Sequence, residues 1–248
     1  MLKLICFLHR LRDQNRERFH AHWRETHGPL IAETPELAQH VARYEQNPRL
    51  ESDYKRDRNT DPDSQEFDGA TIMWFESLSD YHAYAQHPLY QERIAPDEAR
   101  FLDRPRTTWF MSHDAERKIG GPDDEARAEI KLLALLKRRP TLSAANFHAH
   151  WSGPHGDLFR ESPALSESIL AYQQNHRTNE DYERDSALPW DGMAEQWYAS
   201  LDAFYAGAGG APFSEIIAPD EEKFMDRPAT RFILCSPPRV VLGADGRD

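Results

Sequence analysis

The chain of 248 residues carries one segment twice, and this internal duplication limits what it can fold into. Residues 19–30 read FHAHWRETHGPL and residues 147–158 read FHAHWSGPHGDL, with eight identities in twelve positions at an offset of 128. The agreement resumes at an offset of 123, where APDEARFLDRP at 95–105 matches APDEEKFMDRP at 218–228. Because an open stack of repeats generally needs at least three units, two copies indicate a fused dimer with a pseudo-twofold axis.

The duplication divides the chain into a first unit at 1–112 and a second unit at 129–236. Residues 113–128 are polar and contain a Gly-Gly-Pro break, so we predict a linker there. We interpret residues 237–248 as a polar tail. Each unit has on the order of a hundred residues, which is enough for a hydrophobic core of its own.

Charge and composition exclude several classes of partner. The chain has 30 basic and 42 acidic side chains, and a net charge of −12 repels both phosphate backbones and anionic lipid. We therefore expect no nucleic acid and no membrane as partner. No apolar stretch approaches the length of a membrane span and the N-terminus lacks a signal-peptide cleavage site, so a cytoplasmic protein is predicted. Cys6 and Cys235 lie in separate apolar runs, which indicates buried, reduced thiols.

Hydrophobic periodicity predicts the same elements in both units. A first strand is followed by an amphipathic helix, two strands, a second helical region broken at Pro88 and Pro96, and a last strand. The first helix is predicted to end near His27, because Pro29 disfavours helix at Gly28, and Pro154 is predicted to end or kink its counterpart. The strands are expected at 2–11, 40–47, 69–76 and 106–112, and at 129–138, 168–176, 192–199 and 229–236. This β-α-β-β-α-β order is ferredoxin-like. The predicted fold class is α+β, with two such units forming an intrachain barrel with its helices outside.

Histidines on the core-facing stripe of each first helix are candidate acid–base groups, because imidazole titrates near neutral pH. These catalytic candidates are His22, His27, His150 and His155. The alternative is a structural role at the helix end. His20 and His148 fall off the stripe and are expected to be solvated. The spacing of five between His22 and His27 differs from that of helical zinc ligands, so no metal is predicted, and nothing in the sequence indicates a cofactor.

The third strand carries the main difference between the copies. Residues 191–198 read DGMAEQWY where residues 68–75 read DGATIMWF, so Glu195 occupies the position of Ile72 and shares a strand face with Trp197. A carboxylate among aromatic rings has a raised pKa or a charged partner, and both are common in catalytic groups. The alternative is an ion pair with an arginine. We predict that Glu195 is catalytic and that the second unit is the better equipped site.

Aromatic residues near the candidate histidines are predicted to bind the substrate. Tyr44 and Tyr172 either fill the core or donate a hydrogen bond to a substrate oxygen. The predicted pocket residues are completed by Trp23, Trp74, Trp151, Trp197 and Tyr198. The motif Asp-Tyr-x-Arg-Asp at 53–57 and 181–185 is either a lid or an ion-paired turn.

Together these motifs resemble the EthD-like family. The motifs on which the resemblance rests are F-x-x-H-W-x-x-x-H-G-P-L in the helix, Tyr-x-x-Asn in strand two, D-G-x-x-E-x-W-F in strand three and D-E-x-x-F-x-D in the second helical region. The resemblance implies a dimeric α+β barrel, and places the family histidines at His22, His27, His150 and His155 and its glutamate at Glu195. The first copy departs at Ile72, and the second at Ser152-Gly153-Pro154 and Asp157.

Relatives on this fold include cofactor-independent oxygenases, polyketide cyclases, dehydratases and decarboxylases, so the resemblance leaves the reaction open. Our leading hypothesis is a cofactor-independent lyase that uses histidine and Glu195 on an aromatic or polyketide-like small molecule. The alternatives are a cofactor-independent monooxygenase acting on a phenol, or a non-catalytic accessory protein that binds such a ligand. The chain is expected to be a monomeric pseudo-dimer or a homodimer.

Overall fold

The computed structural model describes residues 1–54 and 67–243. The chain forms two compact units, of which unit 1 comprises residues 1–111 and 238–248, and unit 2 comprises residues 112–237. Each unit is an antiparallel sheet with helices, so the predicted α+β class is confirmed.

The two sheets have matching strand orders, β10-β2-β3-β1-β4 in unit 1 and β5-β7-β8-β6-β9 in unit 2. Leaving out β10 and β5, each order is that of a ferredoxin-like βαββαβ unit, as predicted. The strands of the described residues are β1 Leu2–Leu8, β2 Arg43–Pro48, β3 Gly69–Phe75, β4 Thr108–His113, β5 Glu116–Ile119, β6 Ile130–Leu136, β7 Ala171–His176, β8 Gly192–Tyr198, β9 Arg231–Cys235 and β10 Arg239–Leu242.

The helices are short and several are joined through π-helical turns. The α-helices are α1 Arg16–His22, α2 Gly28–Ala32, α3 Pro35–Ala38, α4 Glu51–Tyr54, α5 Leu78–Ala85, α6 Ala95–Glu98, α7 Pro122–Glu125, α8 Ala144–His150, α9 Gly156–Glu161, α10 Pro163–Ser166, α11 Asn179–Arg184, α12 Leu201–Gly209 and α13 Ala218–Phe224. The π-helical turns are Trp23–His27, Tyr90–Ile94, Trp151–His155 and Phe213–Ile217, and Arg227–Ala229 is a 3-10 turn.

The predicted end of the first helix near His27 is wrong. The helical backbone continues from α1 through the turn Trp23–His27 into α2, where Pro29 occupies the first turn. Pro154 is likewise accommodated inside the second π-helical turn, between α8 and α9. A proline in a first turn removes an N–H that needs no helical partner, and a π-helical turn bonds residues five apart. The turn therefore brings the two histidines of each motif, which are five apart, to one side of the helix.

The segments predicted as linker and tail both contain strands. Residues 113–128 contain α7 and β5, and β5 pairs with β7 along the register Glu116↔Gln174. Residues 237–248 contain β10, which pairs with β2 along the register Arg239↔Gln46, and residues 244–248 lie outside the described residues. The edge of a four-stranded sheet offers unpaired N–H and C=O groups, and these short strands satisfy them. Unit 1 is thus completed by the C-terminal part of the chain.

The helices of unit 1 pack on one face of its sheet. Ile31, Leu37 and Ile94 from the helical segments form a buried cluster with Tyr44 and Phe75 from the strands. Cys6 and Cys235 are free thiols, of which Cys235 is buried and Cys6 partly buried. In the part of the chain that the structure describes, no helix combines the length and apolar character needed to cross a membrane.

Candidate active site

Each unit has a partly open cavity between its sheet and its helices. The cavity of unit 2 has a volume of about 250 Å³ and is lined by strands β6 to β9 and by α9, α12 and α13. The cavity of unit 1 has a volume of about 330 Å³ and is lined by the corresponding elements. A cavity of about 150 Å³ is enough for benzene, so each can hold a small aromatic molecule.

A histidine and an aspartate face each other at the wall of the unit 2 cavity. Nδ1 of His155 lies 2.9 Å from Oδ2 of Asp220, at the start of α13. Nε2 of His150 lies 3.1 Å from the other oxygen of the same carboxylate, so the π-helical turn directs both histidines at one acid. With Nδ1–H donating to Asp220, the lone pair of His155 is on Nε2. His155 itself lines the cavity, and no described residue hydrogen-bonds that nitrogen.

Electrostatics keep this pair as neutral imidazole and ionised carboxylate at neutral pH. Burial lowers the pKa of His155 more than the hydrogen bond from Nδ1 to Asp220 raises it. Burial alone would raise the pKa of Asp220, but hydrogen bonds from His155, Lys223 and His150 hold it well below its usual range. His155 is therefore in the protonation state of a general base.

Tyr172 on β7 presents a hydroxyl whose lone pairs are already used. It accepts from Nε1 of Trp151 at 2.9 Å and from Nε2 of Gln174 at 2.9 Å. Burial raises the pKa of Tyr172, so the hydroxyl keeps its proton. Because that proton has no acceptor among the described residues, it is available to an oxygen of a ligand in the cavity.

Sequence reasoning missed a second acid at this site. Glu221 lines the unit 2 cavity beside Arg227, with Oε2 3.0 Å from the arginine Nε. Burial raises the pKa of Glu221 to about 7, although Arg227 opposes the rise. Both this glutamate and Asp220 belong to the APDE segment that the two copies share, and that identity was the available signal.

The structure brings together only some of the predicted site residues. Those that line a cavity are His155, Trp151, Tyr172 and Tyr198 in unit 2, and His27, Trp23 and Tyr44 in unit 1. His22 and His150 do not line the cavities. His22 contacts Asp97 and packs on the ring of Phe101. His150 contacts Asp220 and packs on the ring of Phe224.

Glu195, Trp197 and Trp74 lie on the sheet face opposite the cavities. The alternate residues of β8, Ala194, Gln196 and Tyr198, are the ones that line the unit 2 cavity. Glu195 forms an ion pair with Nζ of Lys131 at 2.7 Å, both side chains being at most 3% exposed, and accepts a hydrogen bond from Asn175 at 2.7 Å. The predicted partnership of Glu195 with the cavity histidine is wrong, and the ion-pair alternative holds with a lysine in place of an arginine.

The other sheet carries its carboxylate on a neighbouring strand. In unit 1 the cross-strand partner of Ile72 is Glu45, whereas in unit 2 the partner of Glu195 is Gln173. Glu45 is buried as well and pairs with Arg43 at 2.7 Å. The difference at Ile72 and Glu195 is thus a relocation of one buried acid between adjacent strands.

The prediction that His148 is solvated is wrong. Nδ1 of His148 lies 2.8 Å from Nδ1 of His176, and Nε2 lies 3.1 Å from the Tyr182 hydroxyl. Burial lowers the pKa of His148 and that of His176 to about 4. His20, the counterpart of His148, is also partly buried, and burial lowers its pKa.

The Asp-Tyr motifs form ion-paired turns. Asp181 binds Arg177 at 2.6 Å and Arg184 at 2.8 Å, and Asp53 binds Arg49 at 2.7 Å. This arrangement agrees with the alternative of an ion-paired turn, and residues 55–57 of the first motif lie outside the described residues.

Comparison with known families agrees with this architecture. The sequence model of the EthD domain matches the chain twice, at residues 11–105 and 139–228, which together make up more than half of it. The chain belongs to the EthD domain family. The resemblance expected from the motifs is confirmed, and each match falls within one unit of this EthD protein.

Solved structures share the fold of this EthD protein at low sequence identity. An anthrone oxidase-like protein has 9% identity and a TM-score of 0.62, with 98% of this chain and 95% of that chain covered. A candidate monooxygenase from Fusobacterium nucleatum subsp. nucleatum has 8% identity and a TM-score of 0.54, with 96% and 92% covered. Another from Lactobacillus acidophilus has 8% identity and a TM-score of 0.51, with 99% and 96% covered. No curated protein sequence matches the chain.

Proposed function

We propose that this EthD protein is an enzyme whose unit 2 cavity binds a small aromatic molecule and transfers protons on it. Nε2 of His155 accepts a proton from an acidic C–H or hydroxyl group of the substrate. Tyr172 donates its hydroxyl proton in a hydrogen bond to the substrate oxygen on which negative charge develops. The observation that carries the proposal is the His155–Asp220 pair, which opens into a cavity of mostly aromatic and aliphatic side chains.

The reaction class we propose is that of a lyase, with dehydration as its simplest form. His155 removes a proton from carbon, the adjacent C–O bond breaks, and Glu221 gives its proton to the departing hydroxyl, leaving a double bond and water. Glu221 suits this role because its raised pKa of about 7 keeps a large fraction protonated at neutral pH. In a decarboxylation, Glu221 would instead protonate the carbon from which carbon dioxide leaves.

Oxygenation of a phenol is the second candidate. The solved structures of the same fold include an anthrone oxidase-like protein and candidate monooxygenases. Removal of a phenolic proton by His155 makes the ring electron-rich, and that ring would then be oxidised by dioxygen. Both reactions require His155, but the lyase also requires the proton of Glu221 whereas the oxygenation requires dioxygen.

The proposal is tested by incubating the full chain with a panel of phenolic and polyketide-derived aromatic acids and identifying products by mass spectrometry. We expect His155→Gln to lower kcat by about 10²- to 10⁴-fold, the usual contribution of a general base. His27→Gln makes the same change in unit 1 and should retain the turnover of unit 2. Full activity in a folded His155→Gln variant would contradict the proposal.

The same assay distinguishes the reaction classes. Equal product yields with and without dioxygen support the lyase, whereas product that forms only in air identifies the oxygenase. Saturable binding of panel compounds without any product would instead identify a ligand-binding protein and contradict the proposal that the protein is an enzyme.

A further inference from the structure

The cavity of unit 1 contains the same acid–base pair as that of unit 2. Nδ1 of His27 lies 2.9 Å from Oδ2 of Asp97, and His27 lines the cavity together with Tyr44. With a volume of about 330 Å³, this cavity is also the larger of the two. Unit 1 has therefore kept a complete cavity even though its sequence departs from that of unit 2 around it.

The walls of the two cavities differ in their hydroxyl groups, of which the unit 1 cavity has more. Residues equivalent at the offset of 123 are hydroxyl-bearing in unit 1 and lack a hydroxyl in unit 2. These pairs are Thr71 and Ala194, Tyr81 and Phe204, Tyr84 and Gly207, and Tyr90 and Phe213. Three positions run the other way, since unit 2 has Ser168, Gln196 and Tyr198 where unit 1 has His40, Met73 and Phe75. In unit 2, however, Ser168 already donates to the Leu165 carbonyl at 2.9 Å and Tyr198 to Oε1 of Gln196 at 2.6 Å.

Tyr84 is the side chain that most directly indicates a ligand. It is only 4% exposed and lines the cavity, and its hydroxyl has no hydrogen-bond partner among residues 1–54 and 67–243. The hydroxyl reaches the cavity space, so an oxygen atom of a ligand bound there can accept its proton. Burial raises the pKa of Tyr84, so the group is a permanent donor at neutral pH.

A second polar group lies next to Tyr84. The rings of Tyr84 and Tyr90 are edge to face with centroids 5.5 Å apart, and the Tyr90 hydroxyl donates to Oε1 of Glu98 at 2.9 Å. Glu98 also lines the cavity, where its carboxylate is an acceptor for a ligand hydroxyl. One wall of the cavity thus offers a donor and an acceptor within a largely apolar lining.

We infer that the unit 1 cavity is a second ligand site, which takes an aromatic molecule with two or more hydroxyl groups, more hydroxylated than the ligand of unit 2. One ring oxygen accepts from Tyr84, and one ring hydroxyl donates to Glu98. The inference concerns binding in unit 1 and does not depend on the reaction in unit 2.

The test is a fluorescence titration of the full chain with 1,3-dihydroxynaphthalene and with naphthalene. Phenylalanine is introduced at equivalent strand positions, with Thr71→Phe filling the unit 1 cavity and Ala194→Phe filling that of unit 2. We expect the tighter dihydroxynaphthalene site to be lost in Thr71→Phe and kept in Ala194→Phe. Tyr84→Phe, which removes one oxygen atom, should weaken dihydroxynaphthalene about five- to tenfold and leave naphthalene unchanged.

Three outcomes would overturn the inference. The first is a tight site that survives Thr71→Phe, and the second is dihydroxynaphthalene binding no tighter than naphthalene. The third is a Tyr84→Phe variant that weakens both probes equally, since that result indicates only altered packing. If Thr71→Phe does not fold, the Tyr84→Phe comparison decides alone. Because no turnover is measured, failure of the proposed reaction in unit 2 would leave these results unaffected.

Discussion

The two units hold the same histidine–aspartate pair but differ at the neighbouring glutamate. In unit 1 the Tyr90 hydroxyl donates to Glu98, and Nε of Arg104 lies 3.5 Å from Oε2 of the same glutamate. In unit 2 the residue equivalent to Tyr90 is Phe213, and among the described residues no phenol donates a hydrogen bond to Glu221. Burial raises the pKa of Glu221 to about 7, although Arg227 opposes the rise. The pair that positions the histidine is thus unchanged, while the neighbouring glutamate accepts a hydrogen bond from a phenol in unit 1 and has an arginine partner in unit 2.

The second difference between the units lies on the opposite sheet face and has a structural meaning. Glu195 of unit 2 and Glu45 of unit 1 are both buried acids, and each is paired with a basic side chain on that face. Within one unit, their equivalent positions are cross-strand partners. The two units therefore differ in which strand carries the buried acid, and both retain one. Comparing the units therefore separates a difference that changes cavity chemistry from one that preserves stability.

The largest effect we predict tests that separation. Glu195→Gln should lower the free energy of unfolding by about 3–5 kcal/mol, because it leaves the Lys131 ammonium buried without its carboxylate. Turnover per folded molecule should stay unchanged. Urea unfolding followed by circular dichroism measures the first quantity, and kcat at a concentration of folded protein measured in parallel gives the second.

A double substitution provides the matched control for Glu195. Gln173→Glu combined with Glu195→Ile moves the acid to its unit 1 strand position, and should recover part of the lost stability through Lys131, because Ala171 stands where unit 1 has Arg43. If Glu195→Gln instead leaves stability intact and lowers kcat strongly, Glu195 belongs to the reaction after all.

Glu195 also shows what the sequence could not predict. Strand alternation correctly places it on the face of Trp197, but both faces of β8 are buried, so the pattern cannot tell which face meets the helices. By contrast, the unit repeat, the strand order and the histidine stripe followed from residue spacing, because duplication and periodicity are visible along the chain.

Local sequence patterns could not predict which residues hydrogen-bond the histidines. Asp220 is 65 residues from His155, and only the folded chain brings the two together. The π-helical turns were also hidden, because side-chain periodicity does not reveal which backbone groups are bonded, and prolines at 29 and 154 argued for a break. The repetition of APDE in both copies did indicate that the segment matters, but it did not indicate that its acids face the histidines.

A smaller effect concerns acid stability, since the histidine pair His148 and His176 is present only in unit 2. The residue equivalent to His176 in unit 1 is Pro48. Burial lowers the pKa of both histidines to about 4, so the unfolded chain, with pKa values near 6.5, binds protons first as the pH falls. Their contribution to stability is therefore complete above pH 6.5 and is lost as the pH falls toward 4.

We expect His176→Gln to reduce this acid-induced loss by about 2 kcal/mol, discounted because the side chain is 24% exposed. Hydrogen exchange at pH 7 and pH 4.5, resolved by unit, measures the change, and unit 2 should lose protection before unit 1. His113→Gln replaces an exposed histidine and is the control. Equal acid sensitivity of wild type and His176→Gln would rule out the histidine pair as its source.

The smallest effect exchanges the hydroxyl that distinguishes the two glutamates. If Glu221 acts as a protonated acid, kcat falls as the pH rises through its pKa of about 7. Phe213→Tyr should supply the hydrogen bond that Tyr90 gives to Glu98, and a bond to the ionised carboxylate favours that form. The pKa of Glu221 should fall by about one unit, equivalent to about 1.4 kcal/mol, and shift the alkaline limb of the kcat profile toward pH 6. Tyr90→Phe makes the reverse change in unit 1 and should leave that profile in place, whereas an alkaline limb that does not move with Phe213→Tyr must belong to a group other than Glu221.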